Sequence, residues 1–198
     1  LTFKPTPDHT LYASYSQGFK GGGFDPRGVG ANAPDLDGNG TRSDAEIAAF
    51  LSFRPEKVES YELGYKGSLF DGGLNVAIAG FYADYTDVQI PGSVACTVGG
   101  LPSFCGIVSN AGKATFKGLE FEGRARLGED LAAAGDRLTL STALGYIDAQ
   151  YKRFVTNIAG VPTDVADFRR VQNTPKWTAS GTLAYSAPIG DGDISFGT

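Results

Sequence analysis

The sequence predicts an all-β chain, an antiparallel up-and-down meander of about eight strands forming a segment of a large transmembrane β-barrel. Three observations predict it. Period-two alternation of apolar and polar residues recurs along the chain, while helical periodicity is nearly absent. Glycine takes 28 of 198 positions and aromatics reach 12%, a glycine share roughly twice the ordinary one. The connections alternate between short and long, and a chain that returns all its long loops to one end is built like an outer-membrane barrel.

The first whole strand is expected over 11–20, with Leu11, Ala13 and Tyr15 on one face and Ser14, Ser16, Gly18 and Lys20 on the other. The next, over 60–69, sets Tyr61, Leu63, Tyr65 and Leu69 against Ser60, Glu62, Lys66 and Ser68. A third, near 119–127, opposes Leu119, Phe121, Ala125 and Leu127 to Glu120, Glu122, Arg124 and Arg126. Near the end, Trp177, Ala179, Leu183 and Tyr185 face away from Lys176, Thr178, Ser180 and Thr182. Strands over about 74–90 and 137–153 alternate less cleanly, because Ala and Gly fall on both faces. Stubs at 1–4 and 193–198 read as two further strands.

The connections run short (5–9), long (21–54), short (70–73), long (91–112), medium (128–136), long (154–172) and short (187–193). Loops beyond about 12–15 residues are uncommon in compact domains. In a membrane barrel they belong to the extracellular end, the apolar face meets lipid and the polar face lines the lumen. Phe70 and Tyr61, and Trp177 and Tyr185, stand near strand ends where interfacial aromatic girdles form. The same alternation also suits a soluble antiparallel sandwich with the apolar faces turned inward.

Composition narrows the partners. The 17 Lys and Arg against 22 Asp and Glu leave a net charge of −5, with no basic block, so nucleic acid is not an expected partner. No apolar run of eighteen residues exists, which excludes a transmembrane helix. Charge of 20% and hydrophobicity of 41% are those of an ordered chain. A chain that opens at Leu1 and has no Met is expected to be an excerpt of something longer.

LYASYSQGFKGGGF (11–24), FRPEKVESYELGYKGSLFDGGLNVAIAGFYADYTDVQI (53–90), NAGKATFKGLEFEGRARL (110–127) and QNTPKWTASGTLAYSAPIGDG (172–192) resemble the barrel of TonB-dependent outer-membrane receptors. The resemblance implies a partial barrel over residues 1–198, drawn from about twenty-two strands around a plugged lumen, with the plug domain, the TonB-contacting box and the last strands outside this chain. It implies a location in the bacterial outer membrane. It also implies import of a scarce small-molecule nutrient or metal chelate, such as a ferric siderophore, with outer-membrane lipid around the wall and TonB engaged through the plug. Glu62, Lys66, Glu120, Glu122, Arg124, Arg126 and Lys176 would then face the lumen and its plug, and the Glu and Arg pairs would form a ladder of opposite charges.

The sharpest local signal is DLDGNGTRSDAE (35–46), which fits D-x-[DN]-x-[DN]-G-x₅-E in full. Asp35, Asp37, Asn39, the Thr41 carbonyl and Glu46 are the expected Ca²⁺ ligands, Gly40 permits the turn and Ser43 falls where a water-mediated ligand lies. AEIAAFLSF (45–53) is the expected following helix, although no helix precedes the loop and Arg42 stands where an apolar residue normally packs. The bland alternative is a solvated acidic loop. Cys96 and Cys105, the only cysteines, are an even pair in an extracytoplasmic loop and read as a disulfide. The spacing is wrong for C-x-x-C and no His is near in sequence. His9, the only histidine, reads as an exposed turn residue. The glycines at 21–23 lack the helix and ribose-binding acid of a dinucleotide site. Phe24, Arg27, Phe104, Phe154, Arg169 and Arg170 are surface candidates in the long loops, the two adjacent arginines being suited to an anionic chelate. Nucleophile, base and positioning group never occur together, so no enzyme is expected. A passive porin-like channel and a soluble calcium-stabilised β-sandwich adhesin are the alternative readings.

Overall fold

The computed structural model describes residues 1–158 and 161–198, and for Ala111 and Asn157 the backbone alone. Its elements are β1 (Thr2–Thr6), β2 (His9–Lys20), β3 (Gly23–Phe24), α1 (Asp44–Leu51), β4 (Ser52–Phe53), β5 (Glu56–Leu69), β6 (Leu74–Val98), β7 (Leu101–Glu129), β8 (Arg137–Ile158), β9 (Val161–Asp164), β10 (Trp177–Ile189) and β11 (Gly192–Gly197). The main sheet runs β1-β2-β5-β6-β7-β8-β10-β11, with β9 folded back on the end of β8 and β3-β4 a separate pair. Each strand pairs antiparallel with its neighbour on this path, so the sheet is the meander that the alternation predicts. It is open, with β1 and β11 at its two edges.

Register sorts the side chains into rows across the strands. Leu11, Tyr65, Ile78, Phe121, Leu144 and Ala179 form one row, and Ala13, Leu63, Gly80, Leu119, Tyr146 and Trp177 the next. One step further towards the long loops come Tyr15, Tyr61 and Tyr82, with the Tyr15 and Tyr61 rings 4.9 Å apart. The opposite face carries Thr10, Lys66, Ala77, Glu122, Ala143 and Ser180 in a single row.

This single layer has almost no core. Among the described residues the buried apolar side chains are Ala33, Ala83, Cys96, Cys105, Ala114 and Val165. Leu63, Leu119 and Trp177 are 66%, 60% and 71% exposed. A soluble sandwich would cover these residues with a second sheet, and among the described residues none packs on them. A continuous apolar face of this extent calls for lipid as its solvent.

The loops depart from expectation in two places. The expected long loop 91–112 is a hairpin, because β6 and β7 continue to a turn at Gly99 and Gly100, whose φ angles are +60° and +81°. Two positive φ values at the central residues make the tight turn that matches strand twist. Pro91 and Pro102 sit in this extension, beyond the last pairing of β5 with β6 and of β8 with β7, so that each outer edge is free to carry a residue without an N–H. The expected loop 154–172 likewise contains the end of β8, β9 and a 3₁₀ turn at Ala166–Phe168; its residues Ala159 and Gly160 lie outside the described residues. The 21–54 segment is a true loop, closed at its base by β3 pairing with β4.

Candidate functional site

The polar face of the sheet holds the residues expected at the lumen. Glu62, Lys66, Glu120, Glu122, Arg124 and Arg126 alternate onto it by register, and Lys176 joins it through its carbonyl, which accepts from the Ile147 N–H at 2.9 Å. A depression of about 550 Å³ runs along this face, bordered by Lys66, Glu122 and Arg124. Tyr12 lays its ring across Gly64, with Lys66 Nζ 5.7 Å from the ring centroid. The expected ladder of opposite charges does not form. Among the described residues Glu120, Glu122 and Arg124 have no ion-pair partner, and Arg126 pairs with Glu129 at 2.7 Å. Glu120, Glu122 and Arg124 therefore stay available to something opposite them. His9 starts β2 and hydrogen-bonds through Nδ1 to the Tyr65 hydroxyl at 2.7 Å, which ties it to the sheet where an exposed turn residue was expected.

At the end with the long connections, the 21–54 loop is fastened to the β6–β7 hairpin. Gln89 is buried, and its Nε2 donates to the carbonyls of Lys20, Gly21 and Arg54. Asn110 donates to the carbonyls of Arg54 and Asp87 and accepts from the Arg54 N–H. Further out, Asn32 accepts from the Thr97 N–H at 3.2 Å. Asp25 is buried and accepts from the Arg27 N–H and guanidinium at 2.9–3.0 Å. The Arg27 guanidinium holds the Asp25 carboxyl below its usual range. Arg27, one of the expected surface candidates, is committed to that pair. Phe24 and Phe104 are exposed. Cys96 and Cys105 form a disulfide across the hairpin, beside its turn.

In the 35–46 loop, carboxylate oxygens of Asp35, Asp37 and Glu46 lie within 4.8 Å of one another. The loop also closes on its own hydrogen bonds. Asp35 accepts from the N–H groups of Gly38 and Gly40, and Asn39 from that of Thr41. Glu46 accepts from the Leu36 N–H and from the Ser43 N–H and hydroxyl. Backbone N–H donors hold both Asp35 and Glu46 below the usual carboxylate range, led by Gly40 and Ser43 respectively. Ser43, expected as a water-mediated ligand, is the N-cap of α1 in a capping box with Glu46. Three converging carboxylates, Asn39 and a carbonyl suit a hard cation. Such a cation would add to a turn already formed, and would compete with the cap for Glu46.

Arg169 and Arg170 border a cavity of about 550 Å³ between the upper end of β8 and the 165–176 segment, together with Asp148, Asp167 and Lys176. Arg169 stands over the Phe154 ring, 5.6 Å from its centroid. Asp164 accepts from the N–H groups of Phe154 and Ala166, which lower its pKa and fold the segment back on β8.

An open antiparallel meander with a bare apolar face, a polar depression behind it and loops gathered at one end is the geometry of a barrel wall. The family model described as TonB dependent receptor-like, beta-barrel, matches residues 1–197. The chain belongs to the TonB-dependent receptor family. Solved receptors share its fold: the ferric yersiniabactin uptake receptor FyuA from Yersinia pestis aligns with a TM-score of 0.56 at 20% identity, over 98% of this chain and 23% of that one. The siderophore receptor PiuA from Acinetobacter baumannii gives 0.57 at 22%, over 99% and 24%. The FrpB iron transporter from Neisseria meningitidis gives 0.52 at 11%, over 99% and 24%. This chain therefore spans about a quarter of the length of those TonB-dependent receptors. No curated sequence matches it. No helix among the described residues is long and apolar enough to cross a membrane, and members of this family cross with strands.

Sequence reasoning missed several residues that organise this TonB-dependent receptor wall. Gln89 and Asn110 carry no motif, and their role appears only once β5 is seen to stop below them. Asp136 is fully buried in the 130–136 turn, where it accepts from the N–H groups of Leu131, Ala132 and Ala133 and from the Tyr185 hydroxyl at 2.6 Å. The Tyr185 bond, followed by the three N–H donors, holds its carboxyl far below the ordinary range against the cost of burial. For the missed β6–β7 hairpin one signal was present, Gly99-Gly100 flanked by Val98 and Leu101, which is a turn dipeptide between apolar residues.

Proposed function

We propose that the chain is part of the wall and extracellular loops of an outer-membrane active transporter, which imports a scarce nutrient such as a ferric siderophore with energy relayed through TonB to a plug. The observation that carries it is the inversion of the sheet, with its apolar rows bare and bounded by the Tyr15–Tyr61–Tyr82 row, in a chain of this family. Residues 1–198 supply about eight strands of a larger barrel, and lipid of the bacterial outer membrane covers their apolar face. On this reading Glu62, Lys66, Glu120, Glu122, Arg124, Arg126 and Lys176 face the plug, and the unpaired carboxylates and Arg124 meet complementary groups there. Arg169 and Arg170, beside a solvent-open cavity, are the first contacts offered to an anionic chelate. The receptor names of its structural neighbours support this substrate class.

The test is uptake of radiolabelled ferric chelates by cells whose only such receptor contains this chain. Uptake of at least one chelate should stop when a protonophore collapses the inner-membrane gradient, and Arg169→Gln with Arg170→Gln should weaken its binding about tenfold. Uptake indifferent to the protonophore would replace this reading with a passive channel. Calcium held by Asp35, Asp37, Asn39, the Thr41 carbonyl and Glu46 belongs to the same proposal, supported by the converging carboxylates. Millimolar Ca²⁺ should slow proteolysis within 21–54, and Asp37→Ala with Glu46→Ala should remove that protection. A digestion pattern identical with calcium and with chelator would dismiss the ion.

A further inference from the structure

We propose that Asn39 is a self-modifying site, whose side-chain amide closes onto the Gly40 nitrogen, loses ammonia and opens to aspartate or isoaspartate. The inference stands apart from the transport reading, because it needs only the chemistry of the 35–46 loop. Asn39 is the one asparagine of this sequence that precedes a glycine. A side chain on the next residue would crowd the attacking nitrogen, and Gly40 has none. Gly40 has a φ of +84°, and a Cβ there would meet nothing within 4 Å, so the backbone has room to close a small ring. Asn39, Gly40 and Thr41 are all exposed, which leaves water free to open that ring.

The hydrogen bonds around Asn39 bring together the groups that this cyclisation uses. The Thr41 N–H and hydroxyl both donate to Asn39 Oδ1, at 2.8 and 2.6 Å. They fold the side chain forward across the Gly40 peptide. They also meet the charge that develops on Oδ1 when Cγ is attacked, as paired donors do in an oxyanion hole. The Gly40 N–H donates to Asp35 Oδ2 at 2.8 Å. That bond lies in the peptide plane, so it leaves the face of the nitrogen open to Cγ and sets a carboxylate in place to take the proton. Asn39 Nδ2 donates to Asp37 Oδ2 at 2.8 Å, which fixes the amide plane and holds the leaving nitrogen beside the carboxylates. Asp35 and Asp37 bring oxygens within 4.8 Å of each other. Asn110 makes the contrast, since both ends of its amide are spent on Arg54 and Asp87 and an alanine follows it.

Water is the only co-reactant. The Gly40 nitrogen forms a bond to Asn39 Cγ and gives its proton to Asp35. The Cγ–Nδ2 bond then breaks, and the departing nitrogen takes that proton and leaves as ammonia. Water adds to either carbonyl of the resulting succinimide, giving aspartate from one and isoaspartate, with a main chain one methylene longer, from the other. Each product adds a carboxylate beside Asp35 and Asp37 and removes the amide that Asp37 held. The change runs one way, so the charge of this loop records the age of the molecule.

The experiment incubates the intact receptor that contains this chain, with a metal chelator present, beside a synthetic peptide of residues 28–42. Trypsin releases the same peptide from the receptor by cutting after Arg27 and Arg42. Mass spectrometry follows the gain of one dalton at Asn39, and isoaspartyl methyltransferase labels the isoaspartate. Because the fold holds the reacting groups together, the receptor should convert at least about fivefold faster than the free peptide, while Asn32 in the same peptide stays intact. Asp35→Asn keeps an acceptor for the Gly40 N–H but removes the base, and Thr41→Val keeps the shape but removes the hydroxyl. Each should slow conversion at least about fivefold, a fraction of the 100-fold or more that an enclosed oxyanion hole loses with one donor. Thr41→Ser restores the hydroxyl and should convert at the wild-type rate, which a merely structural role for residue 41 does not require. Conversion in the receptor no faster than in the peptide, or unchanged rates in Asp35→Asn and Thr41→Val, overturns the site. Failure of chelate uptake leaves these rates untouched, so the two readings fall separately.

Discussion

Placing an arginine at different depths on the two faces tests the inverted sheet directly. Ile78 lies in the row of Leu11, Tyr65, Phe121 and Leu144. That row is four residues from the Tyr61 row on one side and four from the Leu69 row on the other. Each interval is about 13 Å along the strand, or roughly 10 Å in height at a tilt near 40°. The two together approach the ~25 Å apolar band of an outer-membrane barrel, so Ile78 stands near its midplane. Arg at that depth costs about 2–4 kcal/mol, while near the interface it costs about 0–1 kcal/mol. Ile78→Arg should therefore shift the folding equilibrium in vesicles by roughly 30- to 700-fold, and Tyr82→Arg by no more than about fivefold. Ala77→Arg, one residue away but in the polar row, should be near neutral. Guanidinium titration of the intact protein in phospholipid vesicles reads all three, followed by the emission of Trp177, the only tryptophan, on the lipid face. The reasoning is refuted if Ala77→Arg costs as much as Ile78→Arg, or if Tyr82→Arg costs as much as the midplane change.

Three more outcomes follow from the loops and turns. Cys96→Ser with Cys105→Ser removes a ring closed over a separation of nine residues, worth about 3 kcal/mol in loop closure; protease should then cut near Gly99 while barrel unfolding is unchanged, and an intact tip would contradict this. Gln89→Leu strips the donor shared by three loop-base carbonyls at a local cost of about 1–3 kcal/mol, so hydrogen exchange at 21–28 should rise at least fivefold while β5 and the lower part of β6 stay protected. Asp136 has its folded pKa depressed, so its contribution is present above the unfolded value and is lost only as pH falls through the folded one. Amide exchange at Leu131, Ala132 and Ala133, corrected for intrinsic rates, should stay slow past the ordinary carboxylate pKa of about 4. Asp136→Asn should speed it at neutral pH, and a wild-type transition near pH 4 would show that the depression is absent.

The wall was legible because its signal is local. Tyr61, Leu63 and Tyr65 against Glu62 and Lys66 alternate whatever the neighbouring strand does, and pleating alone fixes their faces. The choice between lipid and core as the solvent of that face is not local, and the sequence left it to loop lengths. The hairpin over 91–112 was lost because Pro91, Gly92, Pro102 and Gly106 suppress alternation, and prolines are read as breaks unless a free strand edge is known to be there. In the acidic loop two patterns overlap. Its spacing implies a ligand set, Ser43 and Glu46 also form a capping box, and one carboxylate can serve both patterns. The charges of the polar face share one face as their alternation predicts, but they do not pair with one another, and Arg126 turns to Glu129 instead.

The wall and the loops are held by different physics, and this accounts for a shared fold at 11–22% identity. On the membrane reading proposed above, stability in the wall comes from backbone ladders between neighbouring strands and from lipid that accepts any apolar side chain, so Leu, Ile, Phe and Tyr can exchange across the outward rows with little cost. Packing constraints of the kind that conserve a soluble core are nearly absent, as the handful of buried apolar side chains shows. The loops lack both supports. They are fastened by particular polar groups, Gln89, Asn110, Asp25 with Arg27, and the disulfide, each satisfying backbone groups or closing a ring that nothing else can. A change in loop sequence is then free to reshape the outer surface as long as those fastenings remain, without disturbing the strands below. Binding properties and barrel stability should accordingly vary independently in this chain, the first following the residues beyond the tyrosine row and the second the rows beneath it.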